Sequence, residues 1–117
     1  MRHRNHTKRL NRQKDHLHLM MRNLATSLLL YEKIKTTEAK AKAVTPIVEH
    51  LIARTRTLSD LHAYRALNAY LLDKNASQKM VRELKARYKD RSSGFVTIVP
   101  LGARRGDAAP LVQVALV

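Results

Sequence analysis

The chain has 117 residues, with 23 Lys or Arg against 9 Asp or Glu, a net charge of +14, 44% hydrophobic residues and no cysteine. That length suits one domain with a modest core, and the missing cysteines exclude disulfide frameworks and thiolate zinc sites. Self-repulsion of this size is tolerated where the partner is a polyanion, which makes nucleic acid the leading partner class.

The first fourteen residues, "MRHRNHTKRLNRQK", contain six Lys or Arg, no acid and, beyond Met1, one large aliphatic, Leu10. Such a segment cannot bury a core, but its cations are spaced to neutralise successive phosphates and release counterions. Fully extended, it spans roughly 46 Å, beyond the ~13 Å radius of gyration of a domain near this size, so it reaches grooves the domain cannot enter. A membrane-surface helix is excluded because the apolar face it needs is missing. The chain therefore reads as a tail, residues 1–14, and a single domain, 15–117.

Asp15 is placed to cap a first helix in which Leu17, Met20, Met21, Leu24 and Leu28 form one stripe, ending near Tyr31. "EKIKTT" then reads as a brief strand centred on Ile34, with Thr37 capping the next helix. Ala43, Val44, Ile47, Val48, Leu51 and Ile52 form its stripe, and Pro46 inside it predicts a kink or a restart with Thr45 as cap. Ser59 opens a third helix bearing Ala63, Leu67, Tyr70 and Leu71. Asn75 or Ser77 opens a fourth with Met80, Val81, Leu84 and Tyr88. From Ser92 the texture changes, and "SSGFVTIVPLG" and "PLVQVALV" read as an antiparallel hairpin joined by a long basic loop. A hairpin alone is marginal in water, so it should pack on the helices, with Ile34 supplying a possible third strand. The predicted fold is α+β, with about four helices on a small two- or three-stranded sheet and an extended basic tail.

Catalytic and metal chemistry find little support. The nine acids form no obvious pair, there is no nucleophile elbow, and three glycines leave no phosphate-binding P-loop. His3 and His6 (H-x-x-H) lack an accompanying acid, and His16 and His18 (H-x-H) point to different sides of a helix, so neither pair makes a metal site. They read as polar contacts to phosphate, ribose or stacked bases. With one Phe, four Tyr and no Trp, a base-stacking sheet is not expected, and binding should rest on shape and backbone. Arg105-Gly106-Asp107 matches a three-residue adhesion signal, but Gly106 and Asp107 more simply turn the hairpin loop. Arg104 and Arg105 then reach phosphate, and Asp107 braces one of them. No apolar run is long enough for a membrane span and no secretory signal is visible, so a cytosolic protein is expected.

Five stretches are collectively specific: "MRHR", "RLNR", "MRNLATSLL", "IKTTEAKAKAVTPIVEHLI" and "RRGDAAPLVQVALV". In this order they resemble the bacterial large-subunit ribosomal protein of the L-seventeen family, collinearly from Met1 to Val117. The resemblance implies helices against a small sheet, an N-terminal extension in large-subunit ribosomal RNA on the side around the polypeptide exit, and ribosomal-protein neighbours. Carried over by position, the RNA-binding set is Arg2, His3, Arg4, Lys8, Arg9, Arg12 and Lys14 in the tail and Arg22 and Asn23 in the first helix. Lys40 and Lys42 in the A-K-A-K segment and Arg104 and Arg105 in the loop complete it. The chain departs from the family where "SSGFVTIV" replaces a Gly-Gly-aromatic-Thr-Arg stretch, where Asn5, His6 and Asn11 stand in place of tail glycines, and from Arg54 to Lys79, which matches loosely. No cofactor, enzyme activity, membrane association or self-association is expected. The alternative reading is a free nucleic-acid-binding regulator or nucleoid-type protein, which would need a base-reading recognition helix and dimer symmetry.

Overall fold

In the computed structural model, which describes residues 1–4 and 8–117, the periodic stretches resolve into four helices and a three-stranded antiparallel sheet of order β1-β3-β2. Asn5 and His6 lie outside the described residues. Helix α1 spans Lys14–Tyr31 with Gln13 at its N-cap, so Asp15 sits in the first turn and does not cap it. The carboxylate still favours that end, where the helix dipole is positive. Strand β1, Lys33–Thr37, leads directly into α2, Glu38–Thr55, with Thr37 at the N-cap. Helix α3 is Asp60–Tyr70, capped by position at Ser59. Lys74–Lys79, a π-helical turn Met80–Leu84 and Lys85–Arg87 follow as one rod, α4. Its N-cap is Asp73 rather than Asn75 or Ser77, because the Asp73 carboxylate accepts the Asn75 N–H at 2.8 Å.

Pro46 does not restart α2, which runs through it unbroken. A proline at that position has no N–H for the Lys42 carbonyl, four residues earlier. The tail supplies the missing donor: Lys8 Nζ donates to the Lys42 carbonyl at 3.0 Å. Thr45 is not a cap either, since its hydroxyl donates back to the Ala41 carbonyl at 2.8 Å.

Strands β2, Val96–Ala103, and β3, Pro110–Leu116, form the expected hairpin, and β1 joins β3 with Ile34 opposite Val114. A bulge between Pro100 and Gly102 lengthens β2 and leaves residues 104–109 as the turn. Val112 and Val114 are buried against the helices, while Lys33, Lys35, Thr97 and Val99 are exposed. The core joins Leu28 and Leu29 of α1, Val44, Val48 and Ile52 of α2, and Leu67, Met80 and Leu84 of the later helices. Tyr88 and Phe95 close its lower end with rings 5.0 Å apart, and the Tyr88 hydroxyl donates to the Val117 carbonyl at 2.8 Å. Each such side chain contributes about 1.5–3 kcal/mol by leaving water.

Glu32 ties the layers together. It ends α1 in the left-handed region (φ 65°), its N–H donates to the Leu28 carbonyl, and its own carbonyl accepts the Leu116 N–H at 2.9 Å. Its carboxylate takes a forked pair of hydrogen bonds from Arg87 at 2.7 and 3.0 Å and meets Lys79 Nζ at 3.0 Å. The Arg87 bonds first, then Lys79, hold its pKa at about 2, well below the usual carboxylate range.

Candidate RNA interface

Three segments distant in sequence meet at the N-terminus of α2. Leu10, Asn11 and Arg12 from the tail, Thr37, Ala39 and Lys40 from the helix start, and Arg104 from the hairpin turn line one cavity of about 350 Å³. The first turn of a helix points unsatisfied N–H groups outward and carries partial positive charge. Here that turn is not covered by its own cap, because the Thr37 side chain makes no capping bond. Arg12 is set in place by donating to the Leu10 carbonyl at 2.7 Å, and Leu10 is half-buried against the core. A backbone bond from the Arg12 N–H to the Arg9 carbonyl at 3.1 Å turns the chain there.

The hairpin turn presents its two arginines differently. Arg104 forms a forked pair with Asp107, at 3.1 Å from Nε and 2.5 Å from Nη2, which is the brace expected for one of the arginines. That guanidinium, then the Ala109 N–H at 3.2 Å, holds the exposed Asp107 at a pKa of about 2. Gly106, at φ 100°, adopts the left-handed conformation the turn requires. Arg105 beside it is exposed and makes no ion pair with a described residue. Arg104 therefore carries a neutralising carboxylate, and Arg105 keeps its full field.

The other sequence-derived positions lie outside that lining. Arg2, His3, Arg4 and Arg9 are exposed, and His3 Nε2 lies 3.3 Å from the Met1 sulfur. Lys14 opens α1, an end where a cation is disfavoured by the dipole unless something else needs it there. Lys42 is exposed and pairs with Glu38 one turn back at 2.6 Å, a surface contact of small worth. Asn23 is exposed on α1. Arg22 is engaged inside the molecule: Nε donates to the Tyr70 carbonyl at 2.5 Å and the guanidinium lies 5.8 Å from the Tyr70 ring centre. It braces α3 against α1. Thr26 of the same N-L-A-T-S stretch does likewise, donating to the Arg22 carbonyl at 2.7 Å and accepting the Leu72 N–H at 3.1 Å.

Two lysines were not singled out by composition or motif. Lys33 and Lys35 alternate along β1, both exposed, with Ile34 between them packed on the core. Their signal was the K-x-K alternation of a strand, which places both cations on the solvent face once "EKIKTT" is read as one.

The profile of the family described as Ribosomal protein L17 matches residues 20–117. The large ribosomal subunit protein bL17 of Desulforudis audaxviator is 44% identical over 110 residues, covering 94% of this chain and 97% of that protein. Its counterpart in Thermoanaerobacter sp. is 46% identical over the same length and coverage. The bL17 of Trichlorobacter lovleyi is 44% identical over 117 residues, covering all of this chain and 94% of that protein. The chain belongs to the ribosomal protein L17 family, and it is a ribosomal protein and not an enzyme.

Proposed function

We propose that the protein is a structural constituent of the large ribosomal subunit that binds and stabilises large-subunit ribosomal RNA near the polypeptide exit side, in the cytoplasm and beside other large-subunit proteins. Residues 1–14 act as the RNA-binding tail and 15–117 as the domain that carries it. The supporting observation is the convergence of Arg12, Lys40 and Arg104 on the open N-terminus of α2. Guanidinium forks, an ammonium and aligned N–H groups together suit phosphate oxygens. Around that centre, Arg2, His3, Arg4, Lys8, Arg9 and Lys14 extend the contact along the tail, and Asn23, Lys42 and Arg105 extend it over the domain. Each neutralised phosphate releases counterions, so affinity falls steeply with salt. The protein contributes no chemistry: it holds RNA segments together by screening their mutual repulsion.

Gradient sedimentation of a lysate expressing the tagged full chain tests this reading. Co-migration with large subunits, lost on raising salt until subunits shed their proteins, is the expected result. Migration with DNA or as a small free species overturns it.

A further inference from the structure

Three apolar stripes are each buried in part and leave a remainder. In α1, Met21 and Leu28 are buried while Leu17 stays half-buried. In α2, Val44 and Val48 are buried while Ala43 and Ile47 are not. In α3, Leu67 is buried while Tyr70 is partly open. The remainders meet: Leu17, Ala43 and Ile47, and Tyr70 line, together with the buried Met21, a single cavity of about 580 Å³ between the three helices. A concave apolar site of this size with a few polar groups is the default candidate for a ligand site.

We propose that this cavity receives one unpaired nucleobase of the RNA, with Lys8 and Lys14 on its flanking phosphates. The inference rests on the proposed RNA-binding function and deepens it. Lys8 and Lys14 both line the same cavity, opposed by one carboxylate, Asp15. Lys8 is held there by its bond to the Lys42 carbonyl, which Pro46 leaves without a helical partner. His18 and Tyr70 offer aromatic surface, their rings perpendicular with centres 6.0 Å apart, and Arg22 anchors Tyr70 through its backbone carbonyl with the guanidinium over one face of the ring. Unpaired RNA bases are splayed into apolar, aromatic-lined sites, while phosphates remain outside on cations. The excess of cations at the mouth favours that occupant over an apolar protein side chain, which would bring no charge to meet them.

The test combines the full chain with complete, protein-free large-subunit ribosomal RNA and maps base accessibility by chemical probing. Ala43→Leu narrows the cavity with a good helix former, and Tyr70→Leu removes the ring while keeping the carbonyl that Arg22 uses. Wild type should shield one unpaired base whose protection both variants lose, with the remaining footprint intact, affinity about tenfold lower and a cooperative melting transition retained, lowered more for Tyr70→Leu than for Ala43→Leu. Variants that keep every protected base overturn the cavity assignment and leave RNA binding standing. Variants that bind free RNA as wild type does, yet fail to enter subunits containing the other proteins, overturn it in favour of a protein occupant. A wild-type chain that protects nothing overturns the RNA-binding reading itself.

Discussion

Around Glu32, Arg87 and Lys79 close on a carboxylate at 2.7 and 3.0 Å, whereas the cavity at the start of α2 gathers Arg12, Lys40 and Arg104 without a carboxylate in its lining. Residue types are the same in both places. In the first, each cation is spent on the protein's own architecture, joining the end of α1, the rod α4 and, through the Glu32 backbone, β3. In the second, three cations gather at a helix terminus that is itself positive, and the nearby carboxylates are spoken for, Asp107 by Arg104 and Glu38, in the first turn of α2, by Lys42. A fold retains such unneutralised charge where an anion outside the chain completes it. Net charge alone would have treated the two groups as one.

The widest separation between them comes from removing Arg12, Lys40 and Arg104 together by alanine substitution. Affinity for large-subunit ribosomal RNA should fall about 10²-fold at moderate salt, and the slope of log affinity against log salt should shrink by about three. The melting temperature should hold, because none of the three supports the core. Loss of stability together with affinity would erase the distinction.

Glu32→Gln should do the reverse, lowering stability by about 1–2 kcal/mol with RNA affinity unchanged, as read by denaturant unfolding beside a binding titration. Its pH dependence has a definite sign. The folded-state pKa of about 2 lies below the ordinary value of 4.5, so the stabilisation is fully present above about pH 4.5 and drains away as pH falls towards 2. The Gln variant should lack that portion of the acid-unfolding curve.

The smallest effect is expected from Asp107→Asn, which releases Arg104 without touching the core. The melting temperature should not move, and the salt slope should steepen by less than one as a less neutralised guanidinium faces the RNA. A weakened interaction would mean that the brace orients Arg104 and matters more than the charge it cancels.

Much of this architecture was legible in the residues themselves. Strand β1, the hairpin, the N-cap positions of Thr37 and Ser59 and the Asp107 brace follow from local pattern, because turn chemistry and β-branched runs act within a few residues. Less local features escaped. Asp15 did not cap α1, and Pro46 neither restarted α2 nor made Thr45 a cap; the carbonyl it leaves open is met by Lys8, a donor 34 residues away in the chain. Arg22 carried the family motif yet turned inward to Tyr70, 48 residues away. Nothing in the local sequence of either one announces the other.

The sequence by itself determined how much charge this protein carries, where its helices and strands begin to form, and that the first fourteen residues contribute little to a core. Those are matters of composition and of periods shorter than one element. Only the tertiary structure decided which cations are paired and which are left for a partner, and which parts of three apolar stripes remain uncovered. Both are differences between what an element presents and what its neighbours supply, and the neighbours are set by the packing of helices on the sheet, not by the order of residues along the chain.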